Sequence, residues 1–119
     1  MNSDYRAPSD YERHMFERLL RESFSGREEI RSQLTGAVVE TCDENGMLRI
    51  KVDRDAPRAA VKNRVPVEAE MIDEDGIPVF ILLHVVDGHV NMLEVYRADS
   101  GRLKSRLDPN KFSVHADYG

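Results

Sequence analysis

The residues most able to do chemistry in this chain are carboxylates that recur in two short loops. The tetrapeptides DENG, at residues 43–46, and DEDG, at residues 73–76, each offer acidic oxygens that could ligate a metal ion. A calcium loop of the EF-hand type needs a bidentate glutamate at its twelfth position. Counted from the first aspartate of each tetrapeptide, that position is Arg54 or His84, so neither loop completes such a site.

Both tetrapeptides instead have the composition of tight turns. Each lies between two strand-like runs, and Asn-Gly and Asp-Gly supply the positive φ angles that short hairpins require. Asp87-Gly88 repeats the same signal between two further strand-like runs. The pattern therefore predicts three hairpin turns.

Five carboxylates cluster in and just before the DEDG turn. Glu68 and Glu70 are two positions apart in an alternating run, which predicts that they share one face of a strand. Asp73, Glu74 and Asp75 follow in the turn itself. Like charges at this density favour contact with lysine and arginine residues of another protein, so we predict an acidic binding patch.

A second interpretation of the same stretch is catalytic. Glu68, Glu70 and His84 could hold a divalent metal ion for hydrolysis, as carboxylates do in metal-dependent nucleases. Cys42 is the other nucleophile candidate, but the acidic turn that follows it disfavours a reactive thiolate. The chain has no histidine pair at metal spacing, no P-loop, no dinucleotide fingerprint and no G-x-S-x-G. We therefore predict a protein that is not an enzyme and has no cofactor.

The composition is that of one small acidic domain. The chain has 119 residues, so we treat residues 1–119 as a single domain, with residues 1–8 and the last few residues as candidates for flexible ends. The 22 acidic and 17 basic residues give a net charge of −5, which disfavours direct binding to nucleic acid. The single cysteine, the polar first residues and the absence of a long apolar run predict a cytoplasmic protein without a membrane segment. The oligomeric state is left open.

The periodicity of apolar residues predicts the elements that must position these side chains. Residues 9–24 read as an amphipathic helix with a capping box at Ser9 and Glu12, and residues 25–36 as a second helix with the same signal at Ser25 and Glu28. Strand-like runs follow at 37–42, 47–52, 64–72, 77–86 and 89–97, and the remainder reads as irregular.

These elements predict an α+β fold in which two N-terminal helices pack on one face of a largely antiparallel, five-stranded meander. The run IPVFILLHVV is apolar at almost every position, which is typical of a central strand. The residues expected on the inner face are Phe16, Leu20, Leu48, Ile50, Val67, Ile81, Leu83 and Val95.

Residues 67–103 resemble a family of small bacterial proteins without an assigned activity. The family pattern is an E-A-E-x-x-D-x-D-G-x-P-V hairpin, a central apolar strand and a closing strand that runs into an aspartate and a leucine. An aromatic residue stands in that closing strand, where this chain has Tyr96. The matching positions are Glu68, Ala69, Glu70, Asp73, Asp75, Gly76, Pro78, Val79, Asp99 and Leu103.

In size, acidity and lack of catalytic motifs, the chain also resembles the immunity proteins of contact-dependent inhibition and related bacterial toxin systems. That resemblance implies binding to a cognate toxin protein with a basic, nuclease-like domain, whose active site or substrate surface would be blocked. The expected contacts are the five clustered carboxylates, with Tyr96 as an aromatic anchor. The basic stretch formed by Arg102, Lys104 and Arg106 could equally belong to the interface.

Overall fold

The computed structural model of this protein describes residues 4–117. Two helices come first and strands follow, with a short 3₁₀ turn at Pro109–Lys111 before the last strand. The elements are α1 (Asp10–Leu19), α2 (Arg27–Thr35), β1 (Val38–Thr41), β2 (Leu48–Lys51), β3 (Val67–Ile72), β4 (Pro78–Val86), β5 (His89–Arg97) and β6 (Ser113–Ala116). The α+β class predicted from the sequence is confirmed.

All strand pairs in the described sheet are antiparallel, and the spatial order is β1-β2-β5-β4-β3-β6. The prediction of a five-stranded meander was wrong in two respects. The sheet has a sixth strand, and β2 pairs with β5 instead of with β3, its successor in the chain. β4 is nevertheless an interior strand, as its apolar sequence predicted.

The sixth strand escaped detection because its sequence carries almost no pattern of its own. β6 has four residues, alternately exposed and half-buried, and it becomes a strand by pairing with β3 at the edge of the sheet. That pairing places His115 opposite Glu68 and Ser113 opposite Glu70. A strand defined by its partner in this way is invisible to local periodicity.

The first helix begins where the sequence predicts. The Ser9 side chain accepts a hydrogen bond from the backbone N–H of Glu12, and the Glu12 carboxylate accepts one from the backbone N–H of Ser9. Arg6 adds a salt bridge to the same carboxylate at 2.7 Å, and its backbone pairs with Val39 of β1. Residues near the start of the described chain are therefore tied to the sheet. The predicted flexibility of residues 1–3 and of the last two residues lies outside the described part of the chain.

The second helix begins differently from the prediction. Gly26 is its N-cap residue, in the left-handed conformation with φ 93°, and no side chain caps this end. The Ser25 hydroxyl donates to the Ala60 carbonyl instead, and the Glu28 carboxylate pairs with Arg27 and Arg31. The predicted second capping box was wrong because the Ser25 hydroxyl donates to the loop after β2 and does not cap the helix.

The core lies between the helices and one face of the sheet. Met15, Leu19 and Ile30 of the helices belong to the same buried cluster as Ile81 and Leu83 of β4. All eight residues predicted for the inner face are buried. Within residues 4–117, neither helix is long and apolar enough to cross a membrane.

Candidate functional site

The face of the sheet opposite the core is open and carries three of the six predicted contact residues, Glu68, Glu70 and Tyr96. We call this the outer face. Strand alternation places one set of residues of β3, β4 and β5 there, all half-buried or exposed. The outer-face residues are Glu68, Glu70, Ile72, Phe80, Leu82, His84, Met92, Glu94 and Tyr96.

An apolar stripe crosses this face. Tyr96 stands opposite Phe80, and their ring centroids are 5.2 Å apart. Tyr96 is 42% exposed and Ile72 is 57% exposed, the two large hydrophobic side chains of the described chain that are most open to solvent. Leu82 continues the stripe and is half-buried. Aromatic and aliphatic groups exposed together on one surface mark a site of protein contact.

Two of the predicted glutamates border the stripe. Glu68 stands opposite Leu82, and Glu70 stands opposite Phe80. Glu68 is exposed and Glu70 is half-buried. Neither carboxylate forms a hydrogen bond or ion pair with another residue of the described part of the chain. The sequence prediction that Glu68 and Glu70 share one face is confirmed.

His84 lies on the same outer face but is fully engaged. Its Nε2 is 2.8 Å from a carboxylate oxygen of Glu94, and its Nδ1 accepts a hydrogen bond from the guanidinium of Arg64 at 3.0 Å. An acceptor Nδ1 fixes the proton on Nε2 and makes the imidazole a donor to Glu94. Both nitrogens therefore have protein partners. Among residues 4–117 no group of three histidine, cysteine, aspartate or glutamate side chains has the geometry to hold a metal ion.

Asp73 is not on the outer face, which corrects its place in the predicted patch. Its carboxylate is buried, and the residue is 3% exposed. It accepts hydrogen bonds from the backbone N–H groups of Glu74, Lys104 and Ser105 and from the Ser105 hydroxyl. Alternation explains this placement, because an odd-numbered position after Glu68 and Glu70 points to the core side.

Arg97 completes this buried cluster and was missed in the sequence. Its guanidinium contacts Asp73 and Asp75, each at 2.9 Å, and Asp99 at 2.6 Å. Asp75 is therefore turned toward Arg97, although Asp75 and Glu74 are both exposed residues of the turn. The available signal was that Arg97 continues the core-facing positions Leu93 and Val95 of β5. An arginine at such a position requires buried carboxylate partners.

The pKa shifts follow from these contacts. Burial by itself would raise the pKa of Asp73, but hydrogen bonds from Lys104, Ser105, Glu74 and Arg97 outweigh it and lower that pKa far below its usual range. Hydrogen bonds from Arg97 and from the backbone N–H of Gly101 likewise lower the pKa of Asp99. The cluster therefore holds ionised carboxylates whose role is to fasten residues 99–105 to the DEDG turn.

The basic stretch after β5 is only partly available. Arg102 pairs with Glu44 at 2.8 Å, both side chains being largely exposed. The Arg106 guanidinium lies 3.8 Å from the centre of the Tyr11 ring. Lys104 is exposed, and its backbone N–H donates a hydrogen bond to the Asp73 carboxylate. These residues are not part of β3, β4 or β5, whose outward positions form the outer face.

Comparison with known proteins identifies the family. The family described as Domain of unknown function (DUF6984) matches residues 5–107. The chain belongs to this family. The matched region contains both helices, β1 to β5, the outer face and the Arg97 cluster, and it ends before β6. No curated protein and no solved structure shows a significant match to the chain.

Proposed function

We propose that this protein is an immunity protein that binds a cognate bacterial toxin domain in the cytoplasm and blocks it. The observation that carries the proposal is the open outer face, where an aromatic and aliphatic stripe is bordered by two unpaired glutamates. Such a surface offers a partner both apolar contact and negative charge. The partner that fits it is a domain with lysine and arginine residues around its substrate surface, as in a nuclease.

The contact set follows from the geometry of the face. Tyr96 and Phe80 supply the aromatic area that dominates binding energy at protein interfaces, and Ile72 extends it. Glu68 and Glu70 supply charge that steers a basic partner and fixes its orientation. Glu74 lies at the turn beyond this surface, where it adds long-range attraction. Asp73 is excluded from direct contact by its burial, and Asp75, although exposed, is paired with Arg97.

The proposed action is occlusion and not catalysis. His84, the histidine of the outer face, is held between Arg64 and Glu94, so it is already committed to protein partners. A binding protein requires no reactive group at its interface. It requires only that its bound position exclude the substrate of the toxin.

We expect the neighbouring gene to encode the toxin domain, and the direct test is protection of cells from that domain. We expect the wild-type protein to restore growth and to form a stable complex with the purified domain. Glu68→Lys should slow association and weaken binding, because it places a positive charge against a basic partner. Tyr96→Ala should increase the dissociation rate, because it removes the most exposed aromatic contact.

A matched control distinguishes an effect of the outer face from an effect of the change in net charge alone. Glu17→Lys makes the same change of charge on an exposed helical residue that lies on the other side of the sheet from the outer face. It should leave protection and binding at the wild-type level. Equal weakening by Glu17→Lys and Glu68→Lys would contradict the proposed surface, and tight Mg²⁺ or Mn²⁺ binding by calorimetry would favour the hydrolase alternative.

A further inference from the structure

A second feature of the molecule is a cavity of about 530 Å³ at the end of the sheet, beside the turn that joins β4 and β5. None of the outer-face residues named above lines it, although Lys51 of β2 and Val86 of β4 are also at outward positions of their strands. Its walls include the cations Lys51, Arg54 and Arg58 and the carboxylate of Asp87, and its apolar part includes Val86. Three positive charges against one negative charge make this a basic site in a protein with a net charge of −5.

The cations of the cavity have no carboxylate partners in the part of the chain that the structure describes. Arg54 and Arg58 form no ion pair with any residue of the described chain, whereas seven other arginines of that chain are each paired with a carboxylate. Lys51 is engaged only through its ammonium group, which lies 4.7 Å from the centre of the Tyr5 ring. Unpaired guanidinium groups at a concave surface are the groups that recognise phosphate.

The loop that carries the two arginines is fixed in place by buried contacts. The Gln33 side chain, 2% exposed, donates to the carbonyls of Pro57 and Gly88 and accepts from the backbone N–H of Val90. The backbone N–H of Ala59 also donates to the Gly88 carbonyl at 2.8 Å. These bonds hold the loop after β2 against the β4–β5 turn, so the cavity is preformed.

Gly88 allows the close approach of Arg58. It has a φ of +81°, and a Cβ atom at this position would lie 2.6 Å from the Cβ atom of Arg58. No other residue fits there without displacing the loop. Packing of this kind fixes the start of the Arg58 side chain and thereby limits the directions in which its guanidinium can point.

One polar atom at the cavity lacks a partner. Asn91 is the extra residue of a bulge in β5, and its Oδ1 is buried without a hydrogen bond in the described structure. A buried amide oxygen without a donor is unfavourable. The Oδ1 atom is closed to solvent, so contact with a ligand requires rotation of the amide group, which can then act as an acceptor or as a donor.

We propose that this cavity binds a small organic phosphate. The phosphate would be held by Arg54, Arg58 and Lys51, and the Asn91 amide would meet a polar group of the rest of the ligand. The volume lies within the range of pockets that enclose a small metabolite. The site contains none of the residues proposed to contact the toxin, so it can be tested separately from the proposed toxin binding.

The experiment is a titration of the full-length protein followed by backbone amide NMR. The probes are inorganic pyrophosphate, ADP, adenosine and a short single-stranded oligonucleotide. We expect saturable shifts for pyrophosphate and ADP at the amides of Lys51, Arg54, Arg58 and Asn91, weakening with added salt. Adenosine should cause none. No saturation with either phosphate would overturn the proposal.

Matched variants test the role of the arginines. Arg58→Gln and Arg54→Gln should each weaken ADP binding about tenfold, because each removes a charge-assisted hydrogen bond. Arg58→Gln retains the Cβ atom that packs on Gly88, so the fold should be unchanged. Arg21→Gln, the same change at an exposed residue outside the cavity, should have no effect. Equal weakening by all three variants would overturn the site, as would oligonucleotide binding that is tighter than ADP and shifts residues outside the cavity.

Discussion

Carboxylates that are neighbours in the sequence have opposite surroundings on the two faces of the DEDG hairpin. On the outer face, Glu68 and Glu70 have no partner among residues 4–117 and lie beside an apolar stripe. On the core side, Asp73 is buried and receives hydrogen bonds from the backbone, a hydroxyl and Arg97. The difference shows that carboxylates clustered in the sequence do not all belong to one surface of the folded protein. Strand alternation divides the cluster into a part that stabilises the fold and a part that is free to bind.

The largest effect should come from removing the cation of the buried cluster. Arg97→Met keeps the length of the side chain but leaves Asp73, Asp75 and Asp99 without their shared guanidinium. Because a buried charge then lacks compensation, we expect the urea midpoint of unfolding to fall at least as far as for a core truncation. Arg102→Met, which breaks an exposed pair, is the control and should cost less than about 1 kcal/mol. Similar midpoints for the two variants would show that the cluster contributes little.

The second largest loss of stability is expected from truncating a core-facing residue of β4, and the comparison is with its neighbour on the outer face. Leu83 is fully buried, so Leu83→Ala should lower the free energy of unfolding by about 2–5 kcal/mol. Leu82, its neighbour on the outer face, is only half-buried, and Leu82→Ala should cost clearly less while weakening toxin binding. Denaturant unfolding and a binding titration on both variants measure this. If Leu82→Ala were the more destabilising variant, the assignment of the open face would be wrong.

A smaller effect is the dependence of stability on pH. The folded pKa values of Asp73 and Asp99 lie below those of the unfolded chain, so their stabilising contribution is complete above the unfolded value of about 3.9. As pH falls below that value the unfolded state takes up protons first, and stability is lost. Thermal unfolding from pH 6 to pH 2 should show this fall as a steady decrease in the melting temperature. In Asp73→Asn the same interval should show a shallower slope, and an unchanged slope would contradict the assignment.

The smallest effect on stability is expected on the outer face. Glu68→Lys combined with Glu70→Lys should change the free energy of unfolding by no more than about 0.5 kcal/mol, because neither carboxylate has a partner to lose. Binding to the toxin domain should nevertheless be severely weakened. Unfolding and binding measured on the same preparation distinguish these outcomes. A large loss of stability would place the two glutamates with the buried cluster and not with the interaction surface.

Much of the candidate site was predictable once the period of two residues was recognised. Alternation places Glu68 and Glu70 together on the outer face, and the same count extended to Asp73 and Arg97 points both to the core side. The sequence prediction treated the turn as the end of that alternation, and so it grouped Asp73 with the exposed glutamates. The anchoring role of Gln33 had no local signal, because its partners are distant in the chain.

The sequence by itself determined the elements whose causes are local. Helix α1 follows from its capping box and apolar stripe, the three hairpin turns follow from residues that accept positive φ, and the eight predicted core residues follow from periodicity. Only the tertiary structure decided which strands are neighbours, that Ser113–Ala116 is a strand, and which carboxylates are buried. The physical reason is that pairing, edge formation and charge burial depend on residues far apart in the chain, whereas turn geometry and amphipathicity depend on neighbours.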